Sequence, residues 1–314
     1  MTRHILFASL TALLLAVSCT RRGYETFTGY AQGGTYQVKA NLEGVGIPHN
    51  TIAAAIDSLL EGIDFSISGY NRSSILSRRN AGEDISPDRY FSELVELSEK
   101  YKKLSGGAFD VCSGPLFDIW GFGFTSDSLP SDDAIQRAMQ DCRDGKVLNF
   151  NAIAQGYSCD VIAGYLHSIG VKDMLVDIGE IYCEGLNPSG KGWTIGVDNP
   201  VDGNNSPGKD LKGIWHSDGS GCGIVTSGNY RKFYIKDGRK YAHTIDPRTG
   251  YPVQHNLLSA TVVAPTAAEA DALATACMVL GAEDARSLIE SLDGVEAYLI
   301  CSDGTWKSDG FNLE

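Results

Sequence analysis

Residues 226–253, TSGNYRKFYIKDGRKYAHTIDPRTGYPV, constrain the fold of this chain more than any other stretch. The runs 232–235 and 239–245 have strand composition. Asp237-Gly238 between them is a type I′ turn dipeptide, because both positions tolerate positive φ. Whatever fold the chain adopts must therefore hold an antiparallel hairpin here. Groups suited to an anionic ligand surround it. Residues 226–229 read as a small polar turn with free backbone N–H groups, Arg231 and Arg248 carry forked donors, and His243 titrates near neutrality. Asp246-Pro247 and Thr249-Gly250 end the second strand in rigid turn chemistry. An ordinary hairpin with a decorated exit loop has the same composition, so the stretch alone leaves both readings open.

The 314 residues can bury a substantial core, as one large domain or two small ones. A net charge of −13 opposes a nucleic-acid partner, which requires a basic face. An acidic chain that binds a phosphorylated ligand needs local arginines, a helix N-terminus or a bound cation. Residues 1–18 read as a signal segment outside the fold: Arg3 gives a positive start, 5–17 is an apolar run too short to span a bilayer, and Ala16-Val17-Ser18 leads to Cys19. A cysteine after small residues resembles a bacterial lipoprotein cleavage site; a plain secretory peptide cut nearby is the other reading. Acylation of Cys19 would anchor residues 19–314 to the bacterial cell envelope, facing the periplasm or the outside, with no other membrane segment. The remaining seven cysteines are odd in number and contain no CxxC, so they read as small buried hydrophobes. Export makes one disulfide possible, but the sequence does not choose its pair.

Along the chain, 35–40 reads as a strand entered through Gly33-Gly34, and 51–62 as a helix with Ile52, Ile56 and Leu60 on one face. Residues 66–79 form a polar, binding-type loop with Tyr70, Asn71 and Arg72. Ser86-Pro87 signals a helix start, with Leu104 near its end. The glycine- and aromatic-rich stretch 106–123 suits either a loop close to a flat ligand or a packed turn. Ser131 caps a helix reaching Cys142, and residues 149–156 lead into a helix ending at Gly170. Strands follow at 174–178, 193–197 and 258–263, with 201–223 loop-like apart from Ile214-Trp215. Residues 265–269 form a capping box in which Thr266 and Glu269 satisfy each other's N–H groups; the helix they start runs to Gly281. A further helix at 282–291 and a hairpin turning at Asp303-Gly304 complete the chain.

The sequence has no Walker A loop, no strand–GxGxxG–helix unit, no GxSxG elbow and no HExxH. Asp271 and Thr275 lie one helical turn apart and can offer two hard oxygens to a divalent cation, or can simply be solvated helix residues. Small residues nearby, Ala270, Ala274 and Cys277, allow close packing under either reading.

In chain order, GAFDVCSGPL, AIAQGY, TSGNYRKF, HTIDPRTGYPV and ADALATA closely resemble the ApbE-type FAD:protein FMN transferases. The likeness spans roughly Gly33 to Gly281, and its two hairpin motifs are long and specific. The resemblance implies a mixed α/β (α+β) single domain of two intertwined subdomains with FAD in the cleft between them. It implies cleavage of the FAD pyrophosphate with Mg²⁺, transfer of FMN to a serine or threonine hydroxyl of an acceptor flavoprotein, and release of AMP. The family's acceptors carry an Asp-x-x-(Ser/Thr)-Gly-Ala-Thr segment. Carried over, Asp271, Thr275 and the Ala152 carbonyl, with Ala274 alongside, form the metal site. Gly33, Tyr70, Ala108, Phe109, Asp110, Asn149, Gln155 and Ile245 hold FAD, and His243 activates the acceptor hydroxyl. Four positions depart from the family pattern. Gly33 stands for a usual methionine, Asn149 and Gln155 for aspartate and lysine, and Glu180 for a glycine. The two amides can still hydrogen-bond each other and the ligand. These departures leave two other outcomes in view: an FAD pyrophosphatase giving FMN and AMP, and an FAD-binding lipoprotein without turnover.

Overall fold

The computed structural model describes residues 23–123, 129–204, 206–230, 233–236 and 238–314. The leader, Cys19, Arg231, Lys232 and Asp237 lie outside the described residues. The chain forms the expected mixed α/β single domain around one antiparallel sheet.

The chain opens with strands β1 (Tyr24–Ala31) and β2 (Gly34–Asn41). Between them, Gln32 and Gly33 both have positive φ, 50° and 81°, which makes a two-residue type I′ turn. Helix α1 (His49–Ile67) extends beyond the predicted 51–62 because the buried stripe of Ile52, Ile56 and Leu60 continues through Ile63 and Ile67. The predicted binding loop shrinks accordingly. α1 takes its first residues and α2 (Ile75–Asn80), capped by the Ser74 hydroxyl, takes its last. Helix α3 (Arg89–Leu104) starts two residues later than the Ser86-Pro87 signal, because Asp88 accepts the Phe91 N–H at 2.9 Å and is the better cap. The predicted glycine-rich loop contains a helix, α4 (Gly114–Ile119), with Pro115 in its first turn where no N–H is needed. Helix α5 (Asp132–Arg143) begins at its predicted cap, Ser131, and α6 (Ala154–Ser168) follows.

Strands β3 (Met174–Asp177) and β4 (Ile181–Glu184) form a hairpin around Gly179, whose φ is 96°. A separate ribbon pairs β5 (Thr194–Asp198) with β6 (Leu211–His216), the latter inside a stretch expected to be mostly loop. Strand β7 (Cys222–Gly228) corrects the reading of 226–229 as an open turn. Thr226, Ser227 and Gly228 pair with Thr261, Ala260 and Ser259, and the Asn229 N–H donates to the Leu258 carbonyl, so the segment continues a strand. The anticipated hairpin is β8 (Phe233–Lys236) with β9 (Arg239–Ala242). Then come β10 (Leu257–Ala264), α7 (Ala267–Leu280), α8 (Ala282–Glu290), β11 (Glu296–Cys301) and β12 (Gly304–Lys307).

The main sheet runs β1-β2-β3-β4-β7-β10-β11-β12. Strand alternation divides its two faces. Val225 of β7 joins Leu273, Ala274 and Cys277 of α7 in one apolar cluster, whereas Cys222 and Ile224 join Trp193 and Trp215 in another. Val38, Met174 and Val176 pack with Ile52, Ile56 and Ile162 from α1 and α6. A fourth cluster unites Ile63, Phe109, Ile153, Ile245 and Ala268. Among the described residues no helix is long and apolar enough to cross a membrane.

The first residue of α7 sits unusually close to the sheet. A Cβ built on Gly223 would lie 2.2 Å from the Ala267 Cα, a collision with backbone that no rotamer relieves. Gly223→Ala should therefore cost on the order of 3 kcal/mol in denaturant unfolding. Gly46→Ala, where a Cβ meets nothing within 4 Å, should stay within about 0.5 kcal/mol of wild type. Equal stabilities for the two variants would refute this packing.

Candidate active site

A cavity of about 440 Å³ opens between the β1–β2 turn, the end of α1 and the start of α6. Gly33, Tyr70 and Gln155, predicted from sequence, line it together with Gln32, Asp64 and Asn151, which were not. Gln32 is fixed twice: by its left-handed conformation in the turn, and by a hydrogen bond from its side-chain amide to the Ser158 hydroxyl. Recognition of β1 would have revealed it, since the turn needs positive φ at both central positions. Tyr70 is 72% exposed, an aromatic ring standing at the rim.

The helix start that lines the cavity, in α6, and helix α7 cap each other. Within α7, Ala267 and Ala268 have no partner in their own helix for their N–H groups, as in any first turn. Both donate to Asp160 of α6, at 2.8 and 2.9 Å. In return the Gly156 N–H, in the first turn of α6, donates to Asp271 of α7 at 3.1 Å. The capping box predicted at 265–269 is consequently only half made. The Thr266 hydroxyl accepts the Glu269 N–H at 3.1 Å, but the Glu269 carboxylate faces Lys100 at 3.4 Å. Close approach requires glycine at 156, where a Cβ would stand 2.3 Å from the Ala267 carbonyl oxygen.

The entry to α6 leaves one carbonyl open. Gly156 is a first-turn residue whose N–H has no intrahelical partner and goes to Asp271 instead. Ala152 precedes the Ile153 N-cap, and among the described residues nothing hydrogen-bonds to its carbonyl. Asp271 is only 5% exposed, so the solvated-helix alternative does not hold for it. Burial pushes its carboxyl up to about 7, partly offset by the Gly156 hydrogen bond, and the neighbouring Asp160 carboxylate raises it further. Asp160 is itself pushed up to about 6 by burial. A buried carboxylate, a hydroxyl one turn on at the half-buried Thr275, and an open carbonyl suit a hard divalent cation that completes its shell with phosphate and water. Among the described residues no group of three His, Cys, Asp or Glu side chains forms a metal cluster, so such a cation would depend on those other oxygens. Ala274 is fully buried against the β10 side of α7 and offers the site no side-chain oxygen.

Other predicted residues take different places. Ala108 and Phe109 are each 1% exposed in the core, with Phe109 edge-on to Tyr101. Asp110 caps the turn at Cys112 and pairs with Lys102 at 3.0 Å. None of the three lines the cavity; Ala108 and Phe109 share a core cluster with its lining residues Ile63 and Ile67. Asn149 and Gln155 do not bond to each other. The Asn149 side-chain oxygen accepts the Asn151 backbone N–H at 2.9 Å, and the Gln155 amide lies over Gly179, 2.7 Å from where a Cβ would be. Arg248, expected to offer a fork to an anion, gives Nε and Nη2 to Asp246 at 2.9 and 3.0 Å. Ile245 is buried in the same cluster as Phe109. His243 is half-buried and meets Phe122 edge-on at 6.3 Å; Phe122 in turn stacks on Tyr234. The hairpin exit is tied down by Trp120, whose indole N–H donates to the Gly250 carbonyl at 2.8 Å.

A family model described as the ApbE family matches residues 32–299. The FAD:protein FMN transferase of Escherichia coli (strain K12) is 30% identical over 341 aligned positions, covering 97% of this chain and 95% of the relative. The flavin transferase ApbE from Vibrio cholerae superposes with a TM-score of 0.80 at 29% identity, covering 92% of this chain and 98% of that one. The Pseudomonas stutzeri flavinyl transferase ApbE in its apo form gives a TM-score of 0.79 at 32% identity, covering 91% and 95%.

The buried carboxyl sets a pH test. Because the folded value of Asp271 lies above the ordinary 3.8, the metal-free protein favours the neutral acid, so its stability falls as pH rises from about 4 to 7. A cation needs the ionised form and competes with that proton. With FAD present, Mg²⁺ should therefore raise Tm more at pH 8 than at pH 6, and its apparent affinity should drop roughly tenfold one unit below the pKa. Asp271→Asn should lose the Mg²⁺ gain at both pH values. A gain equal at both, and kept by the variant, would place the cation elsewhere.

Proposed function

This chain belongs to the ApbE family and is a flavin transferase, and from that premise we propose that it moves FMN from FAD to a serine or threonine hydroxyl of a partner protein, with Mg²⁺ and with release of AMP. The observation that carries this reading is the first turn of α6. Its residues Ala154 and Gln155 line the cavity together with Asn151 from the turn before it, while Gly156 is bonded to Asp271 of α7. A nucleotide pyrophosphate in the cavity would thus lie within reach of the candidate cation site.

Gly33, Tyr70 and Gln155 border the space for FAD, and the buried Phe109 and Ile245 fix the walls behind it. Asp271, Thr275 and the Ala152 carbonyl would hold Mg²⁺, which would neutralise charge on the departing phosphate. His243 is held by Phe122 at the hairpin exit and is the residue assigned to take the acceptor proton. The acceptor oxygen forms a bond to the phosphorus of the FMN half as its proton passes to the imidazole. The bond from that phosphorus to the bridging oxygen breaks, and AMP leaves with the bonding pair. A docked hydroxyl outcompetes water because a well-oriented group acts at an effective concentration on the order of 10⁵ M or more.

The test supplies FAD, Mg²⁺ and a partner bearing an Asp-x-x-(Ser/Thr)-Gly-Ala-Thr segment, and follows acceptor mass beside free FMN and AMP. FMN should appear on the final threonine in step with AMP, at a rate that rises with pH through the imidazole titration. His243→Ala should bind FAD normally but lose at least about 10²-fold in turnover. AMP accompanied by free FMN and an unmodified acceptor would make the protein a pyrophosphatase. Absence of both nucleotides would leave a flavin binder.

A further inference from the structure

Two of the cysteines face each other. Cys183 of β4 and Cys222 of β7 are direct cross-strand partners, and both are buried. Opposed residues in an antiparallel ladder have Cα atoms about 4.5–5.5 Å apart and side chains on one face, inside the roughly 4.4–6.8 Å that a disulfide spans. Here that face is the apolar layer with Trp193 and Trp215. The location gives the pair its meaning. Strands β1–β4 form one half of the sheet and β7, β10, β11 and β12 the other, and the halves join through the β4–β7 ladder. That ladder has three residue pairs, with Cys183 and Cys222 at its end.

We infer that Cys183 and Cys222 are a redox modification site, forming a disulfide that staples the two halves of the sheet. This goes beyond flavin transfer and does not rest on it. Cys222 borders a cavity of about 380 Å³ with Trp215, His216, Asp218 and Ser220, which gives a small reagent a route to its sulfur. The Cys183 thiol donates to the Cys222 sulfur, holding Cys222 below the usual thiol range and Cys183 above it. Cys222 is accordingly the first nucleophile. Its thiolate attacks one sulfur of a small disulfide such as glutathione disulfide, the S–S bond breaks, and one glutathione thiol leaves. Cys183 then gives up its proton and attacks the Cys222 sulfur, expelling the second glutathione. Two cysteine sulfurs are oxidised by two electrons, and one glutathione disulfide becomes two thiols.

The experiment uses the purified chain, reduced, freed of reductant, equilibrated with glutathione disulfide, alkylated, and mapped by mass spectrometry without reduction. A peptide pair joined through Cys183 and Cys222 is expected. The oxidised protein should melt on the order of 5 °C above the reduced one, a gain absent from Cys183→Ser and Cys222→Ser. Full alkylation of both residues would overturn the inference. So would a bridge elsewhere, for instance between Cys112 and Cys142, which share another core cluster. If neither variant folds, the peptide map of the unmodified sequence decides.

Discussion

The structure depends on the junction where α6 and α7 cap each other. Each helix supplies a carboxylate to the other's first turn: the half-buried Asp160 to the N–H groups of Ala267 and Ala268, and the buried Asp271 to that of Gly156. Unsatisfied amides and an unpaired carboxylate would each be costly to bury; together they satisfy one another. Glycines at 156 and 223 make the approach possible, because a side chain at either would strike the backbone of Ala267. The bond from Gly156 also brings the Asp271 carboxylate to the start of α6, where Ala154 and Gln155 line the cavity. Packing and chemistry therefore have a common origin here.

Around this junction the remaining elements act as walls. The β1–β2 turn presents Gln32 and Gly33, α1 ends at the cavity with Ile63 and Ile67, and Ile245 at the exit of the β8–β9 hairpin shares an apolar cluster with those two isoleucines. Ile63, Phe109, Ile153, Ile245 and Ala268 share one apolar cluster, so segments far apart in sequence are fixed to a single core. The neutral Asn149 and Gln155 fit this frame through local contacts. One closes a turn and the other covers Gly179, and neither needs the opposite charge usual at the partner position in the family.

Features encoded by neighbouring residues were legible in the sequence. The hairpin of β8 and β9, the Ser131 and Thr266 caps, and the apolar stripes of α1 and α3 all follow from local spacing. Thr226 to Gly228 looked like a polar turn, because only their partners on β10 show that they belong to a strand. Strand β6 was hidden by Lys212 and Gly213, residues uncommon inside strands. Of the residues singled out, Gly33, Tyr70 and Gln155 line one cavity, whereas Phe109 and Arg248 face the core and Asp246. Asp160 gave no signal, since its partners lie more than a hundred positions away. Its role exists only once the two helices meet.

Native-state hydrogen exchange in Asp160→Ala tests the central claim most directly. Asp160 bonds to Ala267 and Ala268 and makes no hydrogen bond to Gly156, whose amide is held by Asp271. If the two caps are one unit, the Gly156 amide should lose protection together with those of Ala267 and Ala268. The β10–β11 ladder, including Ala260 and Leu299, should keep its own. Unchanged protection at Gly156 in a variant that exposes Ala267 and Ala268 would show that the caps are independent, and would contradict the account.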